Sequence, residues 1–370
     1  MDLPDMRELT KARRKRLAIS MQQTNFDALL LSDRKNIYYY SGFSGDDSYL
    51  LLINDTAYLL SDGRFIAQAA AEAPDAEFLC RTNGQQLQHL LVTALNDKPV
   101  KRLGFEGGTL SYTAWVDLAN LLLAYLPDLE FDPADELPLE LRMTKDEYEL
   151  FCLKKCGEIA DQALEATLPH IRPGVTEREI AWQLEQSLHE AGGQGLSFPT
   201  IVAAGPNSAK PHAIPSDYAV QPGDFVTIDF GCRWQNYCGD CTRTFAVGTI
   251  SDEQRTAYET VLKAQLAGVA NIRPGMTGSE ADEISRRIIR EAGLSEYFSH
   301  SLGHGVGLNI HEAPALSPSD KTTLRPGFLV TVEPGVYLPG RFGLRIEDSC
   351  IVTAYGLEPL THFPKELITL

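Results

Sequence analysis

The chain repeats itself, and that repetition limits its fold more than any other feature. Ile171-Arg172-Pro173-Gly174-Val175-Thr176, with Glu179 after it, returns as Ile272-Arg273-Pro274-Gly275-Met276-Thr277, with Glu280 after it. Glu190-Ala191-Gly192 and Glu291-Ala292-Gly293 recur at the same interval. Each copy reads as a Pro-Gly turn, a helix opened by a Thr-x-x-Glu capping box, and a glycine stop. A second pair follows. Pro222-Gly223-Asp224-Phe225-Val226-Thr227-Ile228-Asp229-Phe230-Gly231 matches Pro326-Gly327-Phe328-Leu329-Val330-Thr331-Val332-Glu333-Pro334-Gly335. Asp229 therefore falls on Glu333, a carboxylate on a carboxylate. The strand after each copy carries another acid, Asp240 in the first and Glu347 in the second. Two related half-domains, each with two acids on adjacent strands, can gather all four about a pseudo-twofold axis.

The segment from Asp229 to Asp240 reads as a strand, a short polar hairpin and a second strand, continued by Thr242-Arg243-Thr244-Phe245. Val226, Ile228 and Phe230 alternate with Thr227 and Asp229, so Asp229 sits among residues that pack on both sides. A carboxylate inside an apolar strand is costly unless its charge is held, and two facing each other repel. A bound cation is one remedy. Taken alone, the two aspartates read equally well as caps of the turns at the strand ends. Their repetition in the second half favours the shared centre.

Bulk properties exclude some functions. With 33 Lys+Arg against 50 Asp+Glu the formal net charge is -17, which argues against nucleic acid and anionic membranes as partners. Hydrophobic content of 44% is that of a soluble globular protein. No apolar run is long enough to span a bilayer, and the opening residues, with Asp2 and Asp5, lack a signal-peptide core. The expected place is therefore the cytoplasm, with the seven cysteines reduced. The basic run from Lys11 to Arg16 is flanked by acids and reads as a solvated helix face. Cys238 and Cys241 match C-x-x-C, but on a strand they point to opposite faces and cannot chelate one ion together.

A chain of 370 residues predicts two domains. Residues 1–135 read as a smaller α/β domain. It has a helical opening to Gln23, a buried strand over Asp27–Ser32, and a hairpin of Ser48–Ile53 and Thr56–Ser61 about Asn54-Asp55. A helix over Phe65–Ala73 follows. Pro127 to Pro138 reads as a Pro- and acid-rich connector. Residues 136–370 form the second domain, opening with a helix capped by Thr144-x-x-Glu147.

Before the last acids comes Gly303-His304-Gly305-Val306-Gly307, with His311-Glu312 close behind. The glycines let the backbone approach whatever the His304 imidazole touches. Four carboxylates and one imidazole suit a pair of Mn²⁺-like ions better than a structural zinc. Two such ions roughly 3.5 Å apart support hydrolysis of an amide or ester without a covalent enzyme intermediate. There is no G-x-S-x-G serine-hydrolase motif.

These segments, together with Val332-Glu333-Pro334-Gly335 and Gly343-Leu344-Arg345-Ile346-Glu347-Asp348, resemble the pita-bread metallopeptidases. That family holds methionine aminopeptidases, prolidases and Xaa-Pro aminopeptidases. The resemblance implies an α+β fold: a C-terminal pita-bread domain with an internal pseudo-twofold repeat, preceded by a smaller α/β domain. It implies that Asp229, Asp240, His304, Glu333 and Glu347 hold two divalent metal ions, with manganese preferred and cobalt or zinc as substitutes. Asp229 would chelate one ion, His304 and Glu333 the other, and Asp240 and Glu347 would bridge. A hydroxide shared between the ions would attack the carbonyl before a proline, with Glu333 carrying the proton. His212 and His311 match two histidines that steady the oxyanion and the departing proline nitrogen. Arg345 matches an arginine placed two residues before the bridging glutamate, and a plain strand ion pair accounts for it equally well.

The first domain, and its segments Tyr40-Ser41-Gly42-Phe43-Ser44-Gly45 and Ser61-Asp62-Gly63-Arg64-Phe65 in particular, look most like the Xaa-Pro aminopeptidase branch. The expected activity is therefore release of an N-terminal residue ahead of proline from proline-containing peptides. The alternative is an Xaa-Pro dipeptidase, or prolidase. A non-catalytic pita-bread binding module ranks last, because such proteins tend to lose metal ligands. The family also implies a homodimer. An X-Pro bond is a tertiary amide and needs an apolar slot for its ring, for which Phe198, Tyr337 and Tyr237 are candidate walls.

Overall fold

The structure is a computed structural model, which describes residues 5–82, 84–96 and 98–370. The chain divides into two compact units, Met1–Arg142 and Met143–Leu370. The first contains α1 (Met6–Gln23), β1 (Ala28–Leu31), α2 (Arg34–Ser41), β2 (Tyr49–Ile53), β3 (Thr56–Ser61), α3 (Ile66–Glu72) and β4 (Glu77–Cys80). It continues through α4 (His89–Leu95), β5 (Arg102–Phe105), α5 (Tyr112–Tyr125), β6 (Glu130–Pro133) and α6 (Glu136–Met143).

Its strands run in the order β4-β3-β2-β1-β5-β6. The expected hairpin is β2–β3, with Asn54 in the left-handed conformation that its turn requires. The stretch read as a connector does not form one. It supplies edge strand β6, parallel to β5, and helix α6, whose Pro138 carbonyl accepts the Tyr40 hydroxyl. Proline is tolerated at both places, because an edge strand and a first helical turn need no N–H there.

The second unit opens with α7 (Glu147–Thr167), α8 (Glu177–Glu190), β7 (Ile201–Ala204), β8 (Phe225–Phe230), β9 (Arg233–Trp234), β10 (Tyr237–Cys238) and β11 (Cys241–Ala246). It continues with α9 (Asp252–Asn271), α10 (Gly278–Glu291), β12 (Gly303–Gly305), β13 (Glu312–Leu316), β14 (Leu329–Val332), β15 (Gly335–Leu338), β16 (Phe342–Arg345), β17 (Glu347–Val352) and β18 (Leu357–Pro359). The main sheet runs β13-β12-β14-β17-β11-β8-β7, with β18 on β17. The two halves meet where β11 pairs β17, Thr242 opposite Glu347 and Cys241 opposite Asp348.

Each half has its own core. Ile159, Leu164, Ile180 and Leu184 of α7 and α8 pack on Val226, Ile228 and Phe245. Val261, Ala281 and Ile289 of α9 and α10 pack on Val330, Val332 and Val352. Burial of these side chains, worth roughly 1.5–3 kcal/mol each for all but the smaller Ala281, seats both helix pairs on the sheet. The α8 and α10 helices start at Thr176 and Thr277 with complete capping boxes to Glu179 and Glu280, as the repeat predicts. The box expected at Thr144 and Glu147 lies instead at Asp146 and Glu149. Thr144 bridges Phe328, and the Lys145 N–H donates to the Gly327 carbonyl, so the chain stays extended two residues longer.

Candidate metal and substrate site

Where the halves join, register places the acids. Thr242 of β11 lies opposite Asp229 of β8 on one side and Glu347 of β17 on the other. Directly opposite residues share a face, so the two carboxylates project to the same side of the sheet. Asp240 follows β10 in the turn before β11, outside regular strand, and its carbonyl accepts the Ser349 hydroxyl at 3.0 Å. One ligand oxygen each from Asp229, Asp240 and Glu347 lies within 4.8 Å of the others, and all three residues are buried.

Glu333 follows β14 and is pinned by its own N–H to the Leu302 carbonyl. His304 comes from β12, where the ladder shifts register between His304 and Gly305. Such an irregularity re-aims a side chain, and here the imidazole turns toward the acids. Its Nε2 lies 3.3 Å from Glu333 Oε1 and 3.6 Å from Asp240 Oδ2. Its Nδ1 lies 3.0 Å from the Gly305 carbonyl, which fixes the proton there and leaves the Nε2 lone pair facing the carboxylates. The flanking glycine is required: a Cβ on Gly303 would stand 2.0 Å from the Thr331 carbonyl oxygen.

Arg345 closes the back of the cluster. Its guanidinium donates to Asp229 Oδ2 at 2.6 Å, to Thr242 Oγ1 at 3.1 Å and to the Tyr337 hydroxyl. Tyr337 stands 3.1 Å from His300 Nε2, and His300 Nδ1 lies 2.8 Å from the Ser301 carbonyl. A consistent proton order follows: Arg345 donates to the phenol oxygen, and the phenol donates to a neutral His300. Burial, aided by the Arg345 charge, pushes the His300 imidazole down to about 4. His311 lies with its ring centroid 4.4 Å from that of His304. Its neighbour Glu312 accepts the Asn309 N–H and pairs with Lys145, which steadies that loop.

The electrostatics are those of a centre built around missing positive charge. Burial first, then the neighbouring acids, push Asp240 and Glu347 well above the carboxylate range. Burial likewise pushes Glu333 up to about 8, against the pull of Arg345. Asp229 Oδ1 is buried without a hydrogen-bond partner. Clustered acids and an orphaned buried oxygen fit divalent cations, which would supply the charge and the missing bonds. The donor set, oxygens with one imidazole nitrogen, fits hard or borderline ions.

A cavity of about 430 Å³ gives access to the cluster. All eight residues expected at the site line it: His212, Asp229, Asp240, His304, His311, Glu333, Arg345 and Glu347. Phe198 is also a wall. Tyr337 stands behind Arg345, and Tyr237 is buried edge-on against Tyr148, away from the wall residues. Cys238 and Cys241 turn their thiols to the Leu308 and Glu347 carbonyls respectively. The sequence reading missed His300, Thr242 and Thr331, whose hydroxyl bonds Glu333 at 3.1 Å. A signal existed for His300, a second histidine four residues before His304. The threonines carried none.

Comparison with known proteins agrees with this geometry. The profile of metallopeptidase family M24 matches residues 152–354. That of the creatinase/prolidase N-terminal domain matches residues 13–144. The chain belongs to metallopeptidase family M24. Among its M24 relatives is an Xaa-Pro dipeptidase of Pyrococcus horikoshii, 37% identical over 96% of this chain and 98% of that protein. A solved Xaa-Pro dipeptidase from Bacillus anthracis superposes with a TM-score of 0.93 at 40% identity, covering 98% of this chain and all of the other. An X-Pro aminopeptidase structure from Thermotoga maritima gives 0.87 at 36% identity, covering 96% and 99%. The fold is that of the pita-bread peptidases with a creatinase-type N-terminal domain. Among the described residues, no helix is long and apolar enough to cross a membrane.

Proposed function

We propose that this chain is an Xaa-Pro dipeptidase that uses two divalent metal ions. The observation that carries the reading is the buried trio Asp229, Asp240 and Glu347, with its unpartnered oxygen, at the base of a cavity walled by Phe198 and four histidines. The names of relatives matched along nearly the whole chain support the dipeptidase over the aminopeptidase that the sequence first pointed to. Asp229, Asp240, His304, Glu333 and Glu347 would hold the ions, and the oxygen-rich set favours manganese over cobalt or zinc.

When bound, the ions supply Lewis-acid polarisation of the scissile carbonyl and a water acidic enough to act as nucleophile near neutral pH. The protein's own side chains do the rest. Glu333, at the cavity edge of the cluster, takes the proton of the attacking water on a carboxylate oxygen. His311 and His212, on the cavity wall, donate to the oxygen that gains charge and to the proline nitrogen as it leaves. Arg345 holds Asp229 in place, and Phe198 offers an apolar wall to the ring.

The test is turnover of Ala-Pro and Ala-Leu by the purified chain, with and without added Mn²⁺. Manganese-dependent cleavage of Ala-Pro alone is expected. Cleavage of both at similar rates, or of neither, would remove the proline reading. A homodimer in the cytoplasm remains the proposed setting, with sedimentation velocity as the check on assembly.

A further inference from the structure

Glu177 is a buried carboxylate with no part in the proposed hydrolysis. It stands at the first position of α8, directly after the Thr176 cap. An acid in a first helical turn ordinarily faces water and the free N–H groups there. Here the capping box is already complete through Thr176 and Glu179. Nor does the repeat require an acid at this position. The residue after the Thr277 cap is Gly278, where a Cβ would stand 2.2 Å from the Ala315 carbonyl oxygen. A buried carboxylate without a capping role has to be held by donors from outside its own helix.

Those donors come from both ends of one excursion of the chain. Between β7 and β8, residues 205–215 leave the sheet. Where the excursion begins, the Ala204 N–H donates to Glu177 Oε1 at 2.7 Å. Where it ends, the Ser216 N–H and hydroxyl donate to Glu177 Oε2 at 2.9 and 2.5 Å. The Asn207 side-chain amide reaches both oxygens at 3.2 Å. One carboxylate thus closes the neck of an Ω-type loop. On the far side of that loop, Pro211, His212, Ala213, Ile214 and Pro215 all line the catalytic cavity. The Ser208 hydroxyl accepts the Gly343 N–H at 2.8 Å, and Ala213 packs with Ile201 and Ala203, which seats the loop's flank. Ile214 next to it is 86% exposed. The His212 imidazole makes no hydrogen bond among the described residues, so its aim is set by the backbone that carries it.

We propose that Glu177 is a positioning residue: by closing the neck of this loop it holds His212 where turnover requires it. The inference rests on the Xaa-Pro reading and on the role of His212 within it. A side chain that donates to charge developing in the transition state is felt in kcat and not in KM. Moving such a group by roughly 1 Å costs up to about a hundredfold in rate. None of the Glu177 hydrogen bonds reaches Asp229, Asp240, His304, Glu333 or Glu347, so metal content should not depend on it.

The test measures kcat and KM on Ala-Pro, with metal content by mass spectrometry, for the Mn²⁺-loaded wild type, Glu177→Gln, Ser216→Ala and His212→Ala. Glu177→Gln and Ser216→Ala are each also combined with His212→Ala. Glutamine keeps the side chain's shape but turns an NH₂ group toward donors. Glu177→Gln should lower kcat about tenfold or more, with KM within about twofold and metal content unchanged. Ser216→Ala removes the hydroxyl and leaves the N–H, so it should lower kcat less, about threefold. Neither change should slow the His212→Ala chain further, because an absent imidazole cannot be misplaced. Losses that multiply with that of His212→Ala would overturn the inference and make Glu177 a support of the fold at large. So would an unchanged kcat in both single variants, or a fall in metal content that accounts for the loss. If Glu177→Gln does not fold, Ser216→Ala with and without His212→Ala decides by the same rule. A His212→Ala chain with full turnover would remove the role on which the inference rests. A wild type that does not cut Ala-Pro overturns the Xaa-Pro reading beneath it.

Discussion

At the scale of residues, the site is a balance between buried acids and too few cations. Among the described residues Arg345 is the one cation paired with Asp229, and its fork also holds Thr242 and Tyr337. Replacing it with alanine strands a buried carboxylate and should cost on the order of 3 kcal/mol of stability as well as most activity. Arg345→Lys should not rescue kcat, because an ammonium cannot reproduce a three-way planar fork. Chemical denaturation beside steady-state kinetics checks both. The acids also set how the metal-free chain responds to pH. Glu333, ordinarily near 4.5, is pushed up to about 8 by burial, opposed by Arg345 and reinforced by Asp229. Between those values the folded chain keeps a proton that the unfolded chain has released. Its stabilising share is therefore complete below pH 4.5 and is lost as pH rises through about 8. Melting temperatures of the chelator-treated protein should fall over that range, and Glu333→Gln should flatten the fall.

Among the elements, strand pairing around β11 and β17 does most to hold the centre, and the C-terminal segment locks it from behind. Asp348 of β17 accepts from Arg243 at 2.8 Å, Lys365 at 2.6 Å, Gln265 at 2.9 Å and Thr361 at 2.8 Å. Burial alone would raise the Asp348 carboxyl, but Arg243 and Lys365 outweigh it and hold it below its ordinary value. That share of stability is present above pH 3.8 and fades as pH falls through the depressed value. Lys365→Met should cost about 1.5–3 kcal/mol, read by urea denaturation at neutral pH, and less in acid. Periodicity and capping made the repeated helices legible, since Thr176 and Thr277 act through neighbours three residues away. The true start of α7 was not legible, because Thr144 and Lys145 are held by Phe328 and Gly327 from far along the chain. Nor were strand β6 and helix α6, whose prolines occupy places where the missing N–H costs little.

Across the whole molecule, the duplication explains why four acids spread over more than a hundred residues could be read from one sequence as candidates for a shared centre. Each half repeats the same strand, and pairing of the halves at Thr242 and Glu347 leaves the acids only one common side to face. What the duplication does not encode is the surroundings. His300 depends on how the loop before β12 crosses the site, which no periodicity records. The most direct test of the central claim is the metal content of the chain after Mn²⁺ loading and gel filtration, read by mass spectrometry and located by anomalous scattering. Two ions per chain are predicted between Asp229, Asp240, His304, Glu333 and Glu347. One ion, none, or two lying elsewhere would contradict it.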